Sequence, residues 1–266
     1  MKTSSFIFLL LISFVSFSQQ TDFIVAAGGY RVLTPAERTL SLRNLTLGDD
    51  CVIVIPASMD GWTVTASDVT IGKNVIIMGR GVDGGLGALG NHGANSTTSC
   101  MDGSPGANGS IGMNGTKGKN VSLTLRIRTI ESLTVSVYGG NGGTGGQGGN
   151  GGTGSNSTCA CNAGKGGNAG NGGRGGSGGN GGNVNISYSA VGSAPVSNSN
   201  FIVQNAGGRS GTGGYPGLIG KGGAGDGCKD PKGAARLAGA AGNPGTLGPL
   251  GIQGVNGLTT LQNTSK

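Results

Sequence analysis

Hydrophobic and polar residues alternate with a period of two in several short runs between residues 21 and 79. Turn-forming Gly, Pro, Asn, Asp and Ser separate the runs, so the pattern predicts short β-strands. We expect these strands to form a β base, either a small β-sandwich or a β-solenoid, to which chain from residues 121–138 and 183–205 returns. The runs comprise residues 23–25, 40–47, 52–55, 62–64 and 75–77.

Glycine follows a period of three from residue 80 to residue 258, in six separate runs. Three residues per turn is the repeat of the polyproline-II helix, and glycine at every third position leaves one face of such a helix as bare backbone. A strand-like stretch precedes each pair of runs, and one also follows each of the first two pairs. We therefore predict six antiparallel polyproline-II helices, paired as three hairpins that rise from the β base. The runs span residues 81–93, 103–118, 139–154, 164–182, 208–223 and 239–257.

Four of the five cysteines fall between paired runs, where the hairpin tips are expected, and the fifth, Cys51, lies in the base. Cys159 and Cys161 are one residue apart, a spacing that is awkward for a mutual bridge. We therefore expect Cys100 to bridge one of them and Cys228 to bridge the other. Ordering glycine costs much backbone entropy, which disulfides would help to offset. The predicted fold class is mostly irregular and β, with six polyproline-II helices stapled by disulfides on a β base.

The third and fourth runs are mainly Gly-Gly-Xaa, whereas the other four are mainly Gly-Xaa-Yaa with larger side chains. Two glycines in three leave two bare faces on a segment, so it can be flanked on both sides. We expect the third and fourth runs to lie in the middle of the bundle.

The first 20 residues contain Lys2, an apolar run from Phe6 to Phe17 and a small polar end, which is typical of a secretory signal peptide. The apolar run is too short for a membrane span, and no transmembrane segment is predicted. The mature chain is expected to be secreted or at the cell surface, and residues 259–266 to form a tail. The net charge of +7 comes from scattered residues, which favours anionic polysaccharide or envelope surfaces over nucleic acid.

Residues for catalysis are scarce. His92 is the single histidine, and it has no nucleophile near it in the sequence. Cys159 and Cys161 lack a further Cys/His pair at metal-finger spacing. The GxGxxG match at residues 85–90 continues in the glycine register, and no amphipathic helix follows it. We predict no enzyme activity, no cofactor and no metal site.

Two sets of side chains are candidate contact surfaces. The polar positions of the third and fourth runs form a regularly spaced ladder suited to sugars or a repeating surface: Asn141, Thr144, Gln147, Asn150, Thr153, Asn168, Asn171 and Ser177. Large side chains of the last two runs form an apolar rim that suits a partner or another copy of the chain: Tyr215, Leu218, Leu247, Leu250 and Ile252.

The spaced glycines of residues 79–257, with cysteines at the tips, resemble the snow-flea antifreeze protein and the glycine-rich tail-tip adhesins of T-even phages. The insect resemblance implies ice binding. From the residues, we expect a non-enzymatic recognition or structural protein, such as an adhesin or envelope component. Its expected partners are a surface glycan, an envelope protein or ice, with self-association as a further expectation. The alternatives are an ice-binding protein and a collagen-like or filament-forming subunit.

Overall fold

Eleven β-strands and two short 3-10 helices, Pro35–Glu37 and Asn198–Asn200, form the regular structure of the computed structural model, which describes residues 22–225 and 229–264. The predicted signal peptide and Cys228 lie outside the described residues. The strands are β1 (Asp22–Val25), β2 (Tyr30–Val32), β3 (Thr39–Leu47), β4 (Val52–Val54), β5 (Gly61–Ile71), β6 (Val75–Met78), β7 (Asn120–Ile130), β8 (Leu133–Ser136), β9 (Val184–Ala190), β10 (Phe201–Gln204) and β11 (Thr259–Asn263).

Successive strands alternate between two parallel sheets. The six-stranded sheet has the order β1-β3-β5-β7-β9-β11, and the five-stranded sheet has the order β10-β8-β6-β4-β2. Each coil of the chain therefore adds one strand to each sheet. Inward-facing residues stack from coil to coil, as in the row Leu45, Val69 and Ile127, and side chains of both sheets form one hydrophobic core. Successive side chains of a strand point to opposite faces of the sheet, so the apolar residues at every second position all face inward. The outward residues of the longer strands are mainly polar.

The turns between the two sheets repeat one backbone conformation. Gly28, Asp50 and Asn74 have φ values of 66°, 55° and 54° at the same position of three successive coils. Glycine adopts this left-handed conformation without strain, and Asn and Asp adopt it more readily than other residues. Asp49 and Asp50 thus form the turn between β3 and β4.

Three long glycine-rich hairpins leave the coils at one corner, between β6 and β7, between β8 and β9, and between β10 and β11. Each hairpin contains two extended segments, numbered here in chain order. They are segment 1 (residues 79–96), segment 2 (101–119), segment 3 (137–157), segment 4 (163–183), segment 5 (205–224) and segment 6 (237–258). Parallel strands need long crossover connections, and the hairpins supply part of the last three.

The structure contradicts the predicted fold class. Its regular elements are two parallel sheets, and no polyproline-II helical bundle is evident among the described residues, because the six segments belong to no assigned helix or strand. The period of three instead appears as the step of the hydrogen bonds between segments. These bonds join residues far apart in sequence, which a one-dimensional pattern does not reveal.

Backbone hydrogen bonds arrange the six segments in two layers. Segment 3 donates through Gly142 to Arg209 of segment 5 and through Gly143 to Met113 of segment 2, both at 2.8 Å. Repetition of these bonds places segments 1, 3 and 5 side by side in one layer, and segments 2, 4 and 6 in the other. Segments 3 and 4 lie in the middle, as their Gly-Gly-Xaa composition predicts.

One disulfide joins the tips of the first two hairpins. Cys100 is bonded to Cys161 with a Cα–Cα distance of 6.0 Å, which is one of the pairings that the cysteine positions led us to expect. Cys159 is also disulfide-bonded, whereas the expected partner Cys228 falls in the undescribed residues 226–228. Cys51 is a free, buried cysteine in the base.

Candidate binding faces and cleft

The outward positions of segments 1, 3 and 5 form a flat surface, here called the front face. Its central row is Asn141, Thr144, Gln147, Asn150 and Thr153. In segment 3, two residues of every three are glycines that face the backbone of neighbouring segments, so only the side chain of the third residue points outward. The N–H of Asn150 donates to His92 Nδ1 of segment 1 at 2.9 Å, and the N–H of Leu218 donates to Asn150 Oδ1 at 2.8 Å. These bonds set the rows of the front face.

The outward positions of segments 2, 4 and 6 form the opposite surface, here called the back face. It carries Asn168, Asn171 and Ser177, so the polar ladder predicted from sequence is divided between two faces. The back face adjoins the outer surface of the six-stranded sheet, because segments 2, 4 and 6 lead directly into β7, β9 and β11.

Many of the predicted polar residues have a structural role. Asn141 Oδ1 accepts the N–H of Arg209 at 2.9 Å, and on the back face Asn168 and Asn171 accept the N–H groups of Asn243 and Thr246 at 2.8 Å. Ser177 Oγ accepts the N–H of Ile252 at 3.4 Å. The amide and hydroxyl oxygens therefore satisfy backbone donors that face outward from the next segment of the layer.

The predicted apolar rim is also divided. Tyr215 and Leu218 lie on the front face beside Gln147 and Asn150, whereas Ile252 lies on the back face beside Ser177. Leu247 and Leu250 occupy the outer edge of segment 6. All five side chains are exposed, but the structure brings only Tyr215 and Leu218 together on one surface.

A cleft opens where the back face meets the six-stranded sheet, at the start of β5, β7, β9 and β11. Its volume is about 710 Å³. Hydroxyl and amide side chains dominate its lining, which also contains one cation, Arg38, and one carboxylate, Asp60. The lining comprises Arg38, Thr39, Asp60, Gly61, Trp62, Thr63, Asn120, Val121, Ser122, Asn183, Val184, Asn185, Leu258, Thr260 and Gln262.

Core packing supports the cleft from beneath. Trp62 is buried, while Thr63, the next residue of β5, is exposed. The Trp62 ring packs 6.0 Å from the ring of Phe23. At Gly61 a Cβ would collide with the backbone carbonyl of Asn120, so no side chain fills that end of the cleft.

Two rows of polar side chains cross the six-stranded sheet in register. One row is Thr39, Thr63, Ser122, Asn185 and Thr260, and the other is Ser41, Thr65, Thr124, Ser187 and Gln262. The first row lies in the cleft, and the second lies two residues further along each strand. Sequence reasoning missed both rows, although the alternation of Thr and Ser with apolar residues in β5 and β7 was a usable signal.

The groups with shifted pKa values lie outside the cleft. Burial raises the pKa of the Cys51 thiol, so this cysteine is a poor nucleophile. Burial would also raise the pKa of Glu37, but hydrogen bonds from the Thr34 N–H and the Arg31 guanidinium outweigh it and lower that pKa. The Arg128 guanidinium lowers the pKa of half-buried Asp68 through a hydrogen bond.

Neither a metal centre nor a membrane span emerges from the described part of the chain. Residues 22–225 and 229–264 contain no cluster of three His, Cys, Asp or Glu side chains able to hold a metal ion. They also contain no helix with the length and apolar character that crossing a bilayer requires. The sequence matches no protein-family model, and no curated protein is significantly similar to it.

Proposed function

We propose that this protein is a secreted or cell-surface, non-enzymatic recognition protein that binds surface glycan through the flat faces of its hairpins. The observation that carries the proposal is the middle of the front face, where the central row of polar side chains runs between two pairs of apolar side chains. Leu86 and Leu89 of segment 1 form one pair, and Tyr215 and Leu218 of segment 5 form the other. All four are exposed. Polar and charged residues, including Asp83 and Arg209, continue the two outer rows.

This arrangement suits the chemistry of a sugar. Sugar hydroxyls need hydrogen-bond partners, and Gln147 and Thr153 offer side-chain groups with no hydrogen bond to another described residue. The C–H surfaces of a sugar need apolar or aromatic contacts, and Tyr215 is 74% exposed beside Gln147. Because backbone bonds hold the segments in place, little ordering entropy is lost on binding.

Retention of the oxidised mature protein on insoluble polysaccharide tests the proposal, with cellulose, chitin and peptidoglycan as probes. We expect at least one of them to retain the protein. A Tyr215→Ala/Gln147→Ala variant should bind about tenfold more weakly, since it loses an aromatic contact and a hydrogen bond. Ile252→Ala is the matched control, because it shortens an exposed side chain on the back face. Failure of all three polymers to retain the protein would contradict the proposal.

Ice is the second candidate ligand, and the two polar rows of the six-stranded sheet favour it. Adjacent strands are roughly 4.7–4.9 Å apart, so the rows present hydroxyl and amide groups at regular intervals on a rigid surface. Thermal hysteresis of the purified protein is the direct measurement. Ice binding predicts a hysteresis gap that Thr124→Lys removes, because a long charged side chain would then project from the middle of the second row.

A further inference from the structure

We infer that the cleft between the back face and the six-stranded sheet is a second binding site, and that it takes a neutral oligosaccharide lying across the strands. The inference rests on the proposed glycan recognition and adds a site on the other side of the protein. The size of the cleft, about 710 Å³, is within the range of ligand sites. It extends from β3 to β11, five strands that together span about 19 Å.

Hydrogen bonds orient two amides in the cleft so that their donors are left for a ligand. Asn120 Oδ1 accepts the N–H of Asn183, and Asn183 Oδ1 accepts the N–H of Leu258, both at 3.0 Å. Each oxygen is thus held by the neighbouring chain. Among the described residues neither Nδ2 group has a hydrogen-bond partner, so each amide retains two N–H donors.

Hydroxyls complete the lining with groups that both donate and accept. Thr63 and Ser122 are paired across β5 and β7, at the centre of the cleft. Donors and acceptors in alternation match a chain of sugar hydroxyls, each of which also donates and accepts. A ligand with a purely apolar surface would leave these groups without partners, which is costly.

The charges of the cleft favour a neutral ligand that is bound and not cleaved. Arg38 and Asp60 contribute one charge of each sign to the lining. Glycoside hydrolysis ordinarily uses a pair of carboxyl groups that flank the bond, whereas Asp60 is the single carboxylate among the lining residues. The cleft therefore has the composition of a sugar-binding site without the pair that hydrolysis requires.

Calorimetric titration of the oxidised mature protein tests this inference. The neutral probes are cellohexaose, xylohexaose and mannohexaose, and the anionic probe is hexagalacturonate. We expect one neutral hexasaccharide to bind with a stoichiometry of one and more tightly than hexagalacturonate. Thr63→Val removes one cleft hydroxyl while keeping the side-chain shape, and should weaken binding about three- to tenfold. Ser122→Tyr fills the centre of the cleft and should abolish binding.

Thr65→Val is the matched control, because Thr65 lies two residues further along β5 on the same exposed surface but outside the cleft lining. It should change the affinity less than twofold, and circular dichroism should show that all variants are folded. The inference is overturned if no neutral hexasaccharide binds, if hexagalacturonate binds more tightly, or if Thr63→Val and Thr65→Val weaken binding equally. Thermal hysteresis reduced equally by both variants, without hexasaccharide binding, would assign the rows to ice and also overturn it.

The outcomes of the two experiments distinguish a failure of the cleft proposal from a failure of the front-face proposal. Loss of hexasaccharide binding in Ser122→Tyr, together with unchanged polysaccharide retention in Tyr215→Ala/Gln147→Ala, would support the cleft and contradict the front face. Hexasaccharide binding that Ser122→Tyr leaves unchanged, together with weaker polysaccharide retention in Tyr215→Ala/Gln147→Ala, would contradict the cleft alone.

Discussion

At the residue scale, absence of a side chain is what allows the hairpins to pack. In the middle segments, two of every three positions face the backbone of another segment, and a Cβ at nearly all of them would collide with a carbonyl group. Ala169 is an exception in the interior of segment 4. Its side chain is buried. Near it, Gly242 and Gly248 of segment 6 each donate a backbone hydrogen bond to segment 5, whereas Gly245, which lies between them, donates none. One extra methyl group thus coincides with a local opening between segments.

A single added methyl group at a central position should therefore be strongly destabilising. In Gly146→Ala, the new Cβ would lie 2.6 Å from the carbonyl carbon of Ala88, and the backbone cannot move without breaking bonds on both sides. We expect a loss of about 2–3 kcal/mol in the free energy of unfolding, measured in urea.

Gly85→Ala is the matched control for that experiment. Its Cβ would lie 3.3 Å from Met113 Sδ, a flexible side-chain atom at the edge of the layers. Gly85→Ala should leave the free energy of unfolding unchanged or raise it by up to about 1 kcal/mol, because alanine reduces the conformational entropy of the unfolded chain. Equal destabilisation by the two variants would contradict the steric explanation.

At the scale of elements, side chains match the backbone groups of the next segment. Along segment 4, Asn168, Asn171 and Asn180 accept the outward N–H groups of Asn243, Thr246 and Val255. By the same register, Arg174 faces Pro249. Arginine has no acceptor and proline has no N–H, so this pair leaves no backbone donor unsatisfied. Side chains that sequence reasoning assigned to ligand binding are thus partly connections between segments.

Removal of one acceptor should loosen segment 6 locally. Asn171→Leu leaves the N–H and hydroxyl of Thr246 without their partner at 2.8 and 3.1 Å. We expect a loss of about 1 kcal/mol in stability and faster hydrogen exchange at the Thr246 amide. Arg174→Leu, beside Pro249, is the control and should leave exchange in segment 6 unchanged. Unchanged exchange at Thr246 in Asn171→Leu would rule out the proposed connection.

At the scale of the whole molecule, the β coils and the hairpins stabilise different parts of the chain. The coils share an apolar core of the ordinary kind. The hairpins contribute mainly glycine and polar residues, with almost no buried apolar side chains beyond Ala169. Their order depends on hydrogen bonds between segments and on covalent links at the tips, because burial of apolar surface is largely lacking there.

Loss of the tip disulfide should therefore have a large effect. The bridge between Cys100 and Cys161 closes a loop with a sequence separation of 61, and loop-closure entropy assigns it about 4 kcal/mol. Cys100→Ser/Cys161→Ser should lower the urea midpoint of unfolding. It should also reduce the difference between the midpoints measured in oxidising and in reducing buffer. Cys51→Ala removes a free thiol and should leave that difference unchanged. A double variant as stable as the wild type would show that the hairpins order without this bridge.

The sequence alone determined most of the strands, where the three hairpins begin, which two segments are central and which cysteines lie at the tips. It missed β2 and β11, and the residues of β11 were expected to belong to a tail. Each of these depends on a local period of two or three, or on the positions of a few residues. The strand partners, the two layers, the division of the polar ladder and the cleft were decided only by the tertiary structure.

The physical reason is that periodicity specifies which way a side chain faces and leaves its partner unspecified. Asn171 and Thr246 are 75 residues apart, and Thr63 and Ser122 meet across β5 and β7 only because a hairpin of glycine separates the two strands in sequence. The predicted polyproline-II bundle was wrong because the glycine period was assigned to helices within single segments. In the folded protein that period is the spacing of hydrogen bonds between segments.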